Sequence, residues 1–193
     1  MHTNLKILII LNDLPFFVSH RLPLALEAKK QGFDVHILAP YQKKSFLTVK
    51  KHGLSFHHIP LKRGGRNPIS ELKLIFSIWK IISKNKPSLI HFVSMKPVLY
   101  GGFIARILNI PGTVNAITGL GFLFVSSNFY VKILRKFIFI IYKFSLNHKN
   151  SLSIFQNNDD LRLFLDKKLV DKTKTVLIKG CGVDIDKFSP KEN

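Results

Sequence analysis

Apolar residues in this chain gather into short runs, separated by longer stretches in which apolar and polar residues recur at helical spacing. The run LKILIIL near the start and the run FDVHILA further along are two examples. Such runs, which lack strict alternation of apolar and polar positions, are typical of strands buried on both faces of a parallel sheet. They predict strands at Leu5–Leu11, Asp34–Ala39, Leu54–Ile59, Ser88–Phe92, Thr113–Ile117, Ser151–Phe155 and Thr175–Ile178.

The stretches between these runs predict helices. Ser19 can cap the first of them, and Gly32 can end it just before the next strand. In the second helix, several apolar residues recur at helical spacing while the lysines fall elsewhere, as in a helix with one apolar side. The predicted helices are Ser19–Gln31, Pro68–Lys84, Pro97–Leu108, Asn128–Asn147 and Asn158–Leu165, and the apolar side of the second is formed by Leu72, Ile75, Phe76, Trp79 and Ile82.

This alternation of strands and helices predicts an α/β fold, a Rossmann-like parallel sheet with helices on both faces. In such a fold, ligands bind beyond the carboxyl ends of the strands, where the loops meet. Candidate functional residues are therefore expected in those loops. The tail GCGVDIDKFSPKEN has no periodicity and is predicted to connect to something beyond it.

The chain of 193 residues is long enough for one domain with its own core, and it is strongly basic. Its 30 lysines and arginines against 11 acidic residues give a formal net charge of +19, and Glu71 is the only acid between Asp34 and Asp159. Such a charge attracts nucleic acid, anionic lipid or phosphorylated substrates, although a basic bias that only aids solubility is the alternative. The single cysteine, Cys181, argues against a disulfide framework and favours a reducing compartment. The sequence predicts neither a signal peptide nor a membrane-spanning helix.

Several common functional motifs are missing. The chain has no G-x-x-x-x-G-K-[ST] and no third glycine at dinucleotide spacing, which argues against P-loop and nicotinamide-binding proteins. It also lacks G-x-S-x-G, H-E-x-x-H and a cysteine pair, the signatures of many hydrolases and metal sites. His57 and His58 are neighbours on a predicted strand, so they are expected to point to opposite faces and not to bind one metal together.

Three loops carry candidate anion-binding residues. His20 and Arg21 lie at the amino end of a predicted helix, where free backbone N–H groups favour an anion. The glycines of Gly119–Gly121 can let main-chain amides approach a ligand. Lys96 precedes a predicted helix and can neutralise a diphosphate. An ordinary surface residue or a tight turn is the alternative at each place.

The predicted helix Asn128–Asn147 contains no acidic residue. At about 100° per residue its lysines fall on one side, which suits a helix lying on anionic lipid. The alternative is a plain surface helix, and in both cases the side with Ile133, Phe137, Ile140 and Phe144 is expected to face the core. The candidate membrane residues are Lys132, Arg135, Lys136, Phe139 and Lys143.

Taken together, six stretches occurring in family order resemble the N-terminal domain of the family 4 glycosyltransferases. These enzymes have the GT-B architecture of two Rossmann-like domains facing across a cleft, and the resemblance is closer to bacterial members that build surface polysaccharides or lipid-linked oligosaccharides. The stretches are FFVSHRLPLALEAKKQGFDVHILAP, LKRGGRNPISELKLI, KPVLYGGFIARILNIP, AITGLGFLF, IFQNNDDLRLFL and LIKGCGVDIDKFSP.

The resemblance implies roles for particular parts of the chain. Residues 1–179 would form the acceptor-side domain, and residues 180–193 would begin the linker to a C-terminal, donor-binding domain that this chain lacks. Thr118 stands where many relatives carry a histidine with a role at the reacting sugar, so the catalytic residue stays unassigned. The implied acceptor-binding residues are His20, Arg21, Arg63, Asn67 and Lys96, and the implied donor-diphosphate residues are Gly119, Leu120 and Gly121.

The resemblance also implies a function. The chain would be the N-terminal half of a retaining glycosyltransferase that moves a sugar from a nucleotide-sugar to a lipid-linked or polysaccharide acceptor, without a metal ion or other cofactor. It would work at the inner face of the cytoplasmic membrane and be inactive without the C-terminal domain, which a separate polypeptide could supply.

Two alternatives remain at this stage. One is a non-catalytic acceptor- or membrane-binding module, either a truncated remnant or one subunit of a split enzyme. The other is a basic nucleic-acid-binding domain, but the sequence shows no helix-turn-helix, zinc-finger or RNP signature, so nucleic acid is not expected among the partners.

Overall fold

The computed structural model describes residues 5–62, 64, 67–119, 129–180 and 182. Their centre is a seven-stranded sheet with the order β3-β2-β1-β4-β5-β6-β7, in which all neighbouring strands are parallel. The predicted α/β fold is thereby confirmed, and each predicted strand is present to within one residue at either end. The strands are β1 Lys6–Leu11, β2 Asp34–Ala39, β3 Ser55–His58, β4 Leu89–Val93, β5 Gly112–Ile117, β6 Ser151–Phe155 and β7 Thr175–Leu177.

Helices connect these strands. Three of them begin at side chains that accept hydrogen bonds from free backbone N–H groups: Gln42 accepts from Ser45 N at 2.7 Å, Asn67 from Ile69 N at 2.9 Å and Asn157 from Asp160 N at 2.7 Å. The helices are α1 Leu14–His20, α2 Leu22–Lys30, α3 Lys43–Lys51, α4 Pro68–Asn85, α5 Gly102–Ile107, α6 Phe129–Leu146 and α7 Asn158–Asp166. A π-helical turn at Pro97–Gly101 precedes α5, and a short 3-10 turn covers Lys172–Lys174.

The prediction of one continuous helix over Ser19–Gln31 is wrong, because the structure has two helices here and the first begins earlier. The chain is already helical from Leu14, and it breaks at Arg21 (φ −124°, ψ −12°) before α2 begins. Pro23 explains the break, because a proline suits the first turn of a helix and disrupts the interior of one. Ser19 caps nothing: its hydroxyl bonds the carbonyl oxygens of Pro15 and Phe16 within α1.

The helices cover the two faces of the sheet unequally. The larger core lies between the sheet and α4, α5, α6 and α7, where Phe92 and Phe155 of the sheet meet Ile78 of α4 and Tyr142 of α6. The smaller core lies under α1, α2 and α3 and involves mainly β1 and β2. β2 and β3 follow on one side of β1 in the sheet, and β4 to β7 follow on its other side. Because crossovers between parallel strands are right-handed, the helices of these two parts cover opposite faces of the sheet.

Gly101, at the end of the π-helical turn, lets α5 approach the sheet closely. It is buried against Phe92, whose ring is fully buried in the larger core. A Cβ atom at this position would come within 2.7 Å of Phe92 Cδ1 and still closer to the neighbouring ring carbon. The turn therefore has room only for glycine.

Both long helices turn a different side toward the sheet from the one predicted. On α4, Ile82 is buried and Ile75 partly buried, but Leu72, Phe76 and Trp79 are exposed to 66%, 61% and 44%. The buried side of α4 is instead formed by Leu74, Ile78 and Ile82.

On α6 the predicted core side is exposed. Ile133, Phe137, Ile140 and Phe144 all face outward, whereas the core is contacted by Ile138, Tyr142 and Leu146. Both helices have apolar residues around more than half of their circumference, so the sequence alone does not say which stripe meets the sheet. In the described part of the chain, no helix combines the length and the apolar character needed to cross a bilayer.

Candidate functional site

A cavity of about 270 Å³ opens at the carboxyl ends of the strands, and we call it the strand-end pocket. It lies where β1 and β4 are neighbours, the point at which the chain connections diverge to opposite sides of the sheet. Open α/β sheets bind their ligands at such a switch point. The pocket is lined by Asn12, Asp13, Phe16, His20, Ser94, Thr118, Gln156 and Gly180.

Three polar side chains from different loops form a connected row in this pocket. The Thr118 hydroxyl lies 3.4 Å from Ser94 Oγ, and the Ser94 hydroxyl donates to Asn12 Oδ1 at 3.3 Å. Ser94 has a φ of +79°, a left-handed conformation that costs a non-glycine residue about 1–3 kcal/mol. The Ser94 N–H bonds the Ala116 carbonyl at 3.1 Å, which ties this strained residue to β5.

Sequence reasoning assigned no role to four of the pocket residues, namely Asn12, Asp13, Ser94 and Gln156. The signal that could have found them is their position, since each is among the first polar residues after a buried strand. The carboxyl ends of parallel strands meet at one edge, so these polar residues come together there.

His20 lies in the strand-end pocket. It is the last residue of α1 and directly precedes Arg21, the N-cap of α2, so it lies between the carboxyl end of one helix and the amino end of the next. Its ring stacks on Phe16 with centroids 4.4 Å apart, and its Nδ1 lies 2.6 Å from Ser19 Oγ. These contacts fix the imidazole and leave Nε2 without a hydrogen-bond partner among the described residues.

Arg21 faces a different cavity, which we call the sheet-face cavity. This cavity of about 360 Å³ lies on the side of the sheet that carries α1, α2 and α3, and most of its lining is apolar. Arg21 Nε is buried there without a hydrogen-bond partner, and His91 Nδ1 is in the same state. The structure thus separates His20 from Arg21, which sequence analysis had grouped in one site. The cavity adjoins the strand-end pocket through Gln156 and Gly180.

The pKa of His91 is strongly perturbed in the sheet-face cavity. Burial removes the imidazole from water and, together with the positive charge of Arg21, lowers the pKa from 6.5 to about 4, against the opposing effect of a hydrogen bond to the Val114 backbone. His91 is therefore neutral in the folded protein at neutral pH.

The free energy of unfolding is expected to decrease as the pH falls from 6.5 toward about 4.5. In this range the unfolded chain binds a proton at His91 and the folded chain does not, so protons favour unfolding by roughly 2 to 3 kcal/mol. The pKa values of His57 and His148 are also lowered by burial and add in the same direction. Urea unfolding at several pH values measures the slope.

His91→Gln should reduce the slope of the unfolding free energy against pH by the contribution of His91. Glutamine keeps a hydrogen-bond donor for the Val114 backbone but does not titrate. His52→Gln, at the end of α3 and outside the sheet, is the matched control. An unchanged slope in His91→Gln would show that His91 titrates alike in both states.

Two other predicted acceptor-binding residues have structural partners. Asn67 caps α4, and Lys96 Nζ lies 2.6 Å from Glu71 Oε1 and donates to the Lys62 carbonyl. The Tyr100 hydroxyl donates to the other carboxylate oxygen of Glu71 at 2.8 Å, and burial raises the pKa of Tyr100. A role for Asn67 and Lys96 in acceptor binding stays a prediction.

The remaining predicted ligand-binding positions are only partly described. Gly119 follows Thr118 at the strand-end pocket with a φ of +133°, which favours glycine. Arg63, Leu120 and Gly121 lie outside the described residues, as does the predicted linker apart from Gly180 and Gly182.

The candidate membrane residues of α6 differ in exposure. Lys132, Lys136 and Lys143 are exposed, in agreement with the prediction, and Arg135 is half-buried. Phe139 was expected among the lysines on the lipid side, but it packs against the larger core. The lysine side of α6 therefore borders the exposed apolar side rather than lying opposite to it.

The histidines of β3 behave as predicted from their alternation. His57 Nε2 lies 2.8 Å from His36 Nδ1, and His36 Nε2 lies 2.9 Å from Asp34. His58 instead accepts a hydrogen bond from the Tyr41 backbone. Within the described ranges, no three His, Cys, Asp or Glu side chains form a group that could hold a metal ion.

Comparison with known proteins identifies similar chains. A family model described as glycosyl transferase 4-like matches residues 6–157. The UDP-Gal:alpha-D-GlcNAc-diphosphoundecaprenol alpha-1,3-galactosyltransferase of Escherichia coli is 30% identical over 129 residues, which cover 65% of this chain and 31% of that enzyme.

Solved structures share the fold at low sequence identity. A glycosyltransferase from Rickettsia africae matches 97% of this chain and 46% of its own, with a TM-score of 0.64 at 16% identity. A UDP-GlcNAc 2-epimerase from Neisseria meningitidis, bound to UDP-GlcNAc, matches 90% and 46% with a TM-score of 0.60 at 12% identity. The chain thus spans less than half the length of these relatives, and the fold occurs in an epimerase as well as in a transferase.

Proposed function

The chain belongs to the glycosyl transferase 4-like family, and from this premise we propose that it is the acceptor-side half of a retaining glycosyltransferase. The transferred sugar comes from a nucleotide-sugar and goes to a lipid-linked or polysaccharide acceptor in cell-surface glycan synthesis. The observation that carries the proposal is the strand-end pocket, which places polar side chains from four strand ends at the switch point of a family member.

The proposed acceptor class is supported by the relative from Escherichia coli, whose name specifies a sugar linked to a diphosphate lipid. The proposed donor class is supported by the structural neighbour that holds a UDP-sugar. In this proposal residues 1–179 form the acceptor-side domain, and residues 180–193 lead toward a donor-binding domain. No metal ion or other cofactor takes part.

The residues of the strand-end pocket have different roles in this proposal. The row of Asn12, Ser94 and Thr118 holds sugar hydroxyls by hydrogen bonds, and His20 Nε2 meets the acceptor hydroxyl or phosphate. Gly119 lets the backbone approach the donor diphosphate. A bond then forms between the acceptor oxygen and the anomeric carbon while the bond from that carbon to the diphosphate oxygen breaks. The nucleoside diphosphate leaves with the electron pair of the broken bond, and its oxygen takes up the proton of the acceptor hydroxyl.

Replacing His20 tests this assignment in an enzyme that carries both domains. We expect His20→Ala to lower kcat/KM for the acceptor by ten-fold or more, about 1.4 kcal/mol, because a positioned contact to the acceptor is lost. The KM for the nucleotide-sugar should change little. Steady-state kinetics with each substrate varied in turn provides both values, and His52→Ala is the control. An effect confined to the donor KM would contradict the assignment of His20.

A non-catalytic binding module is the second candidate, because this fold does not by itself specify sugar transfer and occurs in a UDP-GlcNAc 2-epimerase as well. Sugar transfer measured in a protein that carries both domains separates the two candidates. Transfer would support the enzyme, and acceptor binding without transfer would favour a binding module.

A further inference from the structure

We propose that Asp13 makes the strand-end pocket selective for an uncharged sugar. Its carboxylate accepts hydrogen bonds from sugar hydroxyls and repels phosphate and carboxylate groups. This inference rests on the proposed function and specifies which part of the acceptor occupies the pocket. Of the two contacts open to His20, it selects the one with the acceptor hydroxyl.

The charge of the strand-end pocket is opposite to that of the whole chain. The chain has a formal net charge of +19, yet no lysine or arginine is among the described residues that line the pocket. Among those residues Asp13 is the only acid, and His20 is the only one able to carry a positive charge. The basic surface attracts anions toward the protein, but a carboxylate inside the pocket disfavours a second anion there.

The Asp13 carboxylate has no hydrogen-bond or ion-pair partner in the described part of the chain. Asp13 is the N-cap of α1, but its side chain accepts no capping hydrogen bond. Pro15 occupies the second position of this helix and has no N–H to donate, which removes one of the usual capping donors. The Asp13 carbonyl oxygen accepts from Phe17 N at 3.2 Å, so the backbone begins the helix and the carboxylate stays available to a ligand.

This lack of a partner sets Asp13 apart from the other partly buried acids that the structure describes. Each of those acids makes a hydrogen bond or ion pair with another side chain. The pairs are Asp34 with His36 at 2.9 Å, Glu71 with Lys96 at 2.6 Å and Asp160 with Asn157 at 3.0 Å. Native proteins rarely leave a partly buried polar group unpaired, and a ligand that donates hydrogen bonds to Asp13 accounts for this one.

The rest of the lining suits a sugar ring. A carboxylate only accepts hydrogen bonds, whereas Ser94, Thr118 and Gln156 both donate and accept, as sugar hydroxyls do. Phe16, whose ring stacks on His20, adds an apolar surface for the C–H groups of the sugar. The cavity of about 270 Å³ lies just below the range of about 300–1,000 Å³ for pockets of drug-sized ligands, so its size fits a single sugar ring.

Binding of monosaccharides to the full chain tests this selectivity. The probes are methyl α-glucopyranoside and methyl α-glucuronide, which differ only in whether the last carbon carries a hydroxyl or a carboxylate, and the corresponding galactose pair. Saturation-transfer difference NMR titrations give the dissociation constants. We expect an uncharged hexoside to bind about ten-fold or more tightly than its charged counterpart, because like charges disfavour the wrong ligand. Equal affinity within each pair, or binding of neither uncharged hexoside, would overturn the proposal.

Substitutions of Asp13 separate its charge from a structural role. Asp13→Asn removes the charge at nearly the same shape and should reduce the preference for the uncharged hexoside by about ten-fold. Asp13→Glu keeps the charge and should keep most of the preference while weakening the binding of both probes. Asp166→Asn is the matched control, because it removes the same charge from an exposed position at the end of α7.

The ratio of the two affinities is the informative quantity, since a purely structural effect of Asp13 would weaken both probes alike. Thermal unfolding verifies that each variant is folded. An unchanged ratio in Asp13→Asn would overturn the proposal. The same change of ratio in Asp166→Asn would also overturn it, because the net charge of the chain would then explain the preference.

The proposal and the proposed function can fail separately. Sugar binding is measured in this chain, whereas sugar transfer is measured in a protein that carries both domains. Transfer that persists, with the preference for uncharged acceptors unaltered by Asp13→Asn, would reject the role of Asp13 and keep the transferase. Sugar binding that depends on Asp13, without transfer by any two-domain protein, would count against the transferase and keep the sugar site.

Discussion

A polypeptide limited to residues 1–193 is expected to fold but to release no nucleoside diphosphate from any nucleotide-sugar. Folding is expected because the described elements build two cores around a complete parallel sheet. Inactivity is expected because the strand-end pocket supplies one side of a cleft, and the groups that stabilise the departing diphosphate belong, in the proposed architecture, to the other domain. Losing one such electrostatic contact costs about 10²–10³ in rate, so the loss of the whole set leaves no detectable transfer.

The assay follows free nucleoside diphosphate, and labelled sugar in a lipid extract, over a panel of nucleotide-sugars. Cooperative thermal unfolding of the same sample separates an inactive folded chain from an unfolded one. The control supplies a donor-binding domain, fused or as a separate chain. Robust turnover by residues 1–193 alone would refute the assignment of this chain as half of an enzyme.

Gly101→Ala is expected to destabilise the protein by about 3 kcal/mol, through overpacking against the fully buried ring of Phe92. The ring is fully buried in the larger core, so the added methyl group must displace the ring or α5. The melting temperature should fall by on the order of 10 °C. Urea unfolding and differential scanning calorimetry provide the two quantities.

Gly64→Ala is the matched control, because an added Cβ at Gly64 meets nothing within 4 Å. Its stability should stay within about 0.5 kcal/mol of the parent protein. Phe92→Leu combined with Gly101→Ala should cost less than the sum of the two single changes, since the smaller side chain makes room for the methyl group. Additive losses would place the strain at Gly101 somewhere other than Phe92.

The strands could be predicted from the sequence because strands buried on both faces are short, nearly continuous runs of apolar residues. Residues such as Ile9 and Ile10 in β1 are packed against different cores on opposite sides of the sheet, so no polar residue interrupts the run. The position of the strand-end pocket followed from the same prediction, because the loops after such strands meet at one edge. Of the anion-binding candidates, His20 and Gly119 do lie at that edge.

Which face of a helix meets the core could not be predicted here. Phe76 and Ile78 are both large and apolar, and only the three-dimensional arrangement buries Ile78 and exposes Phe76. The separation of His20 from Arg21 was equally hidden, because it depends on a helix break at Arg21 that sends neighbouring side chains to different sides of the sheet edge. Short-range spacing carries no information about such tertiary choices.

The strained backbone of Ser94 exchanges stability for a polar contact in the strand-end pocket. A chain selected for stability alone would carry glycine at a φ of +79°, where glycine has no steric conflict. Serine keeps the conflict and gains a hydroxyl that links Asn12 to Thr118. Ser94→Gly would therefore raise the stability of the protein and remove a polar contact from the strand-end pocket. Directed evolution for heat resistance would select glycine at this position, whereas directed evolution for a new acceptor would retain the serine.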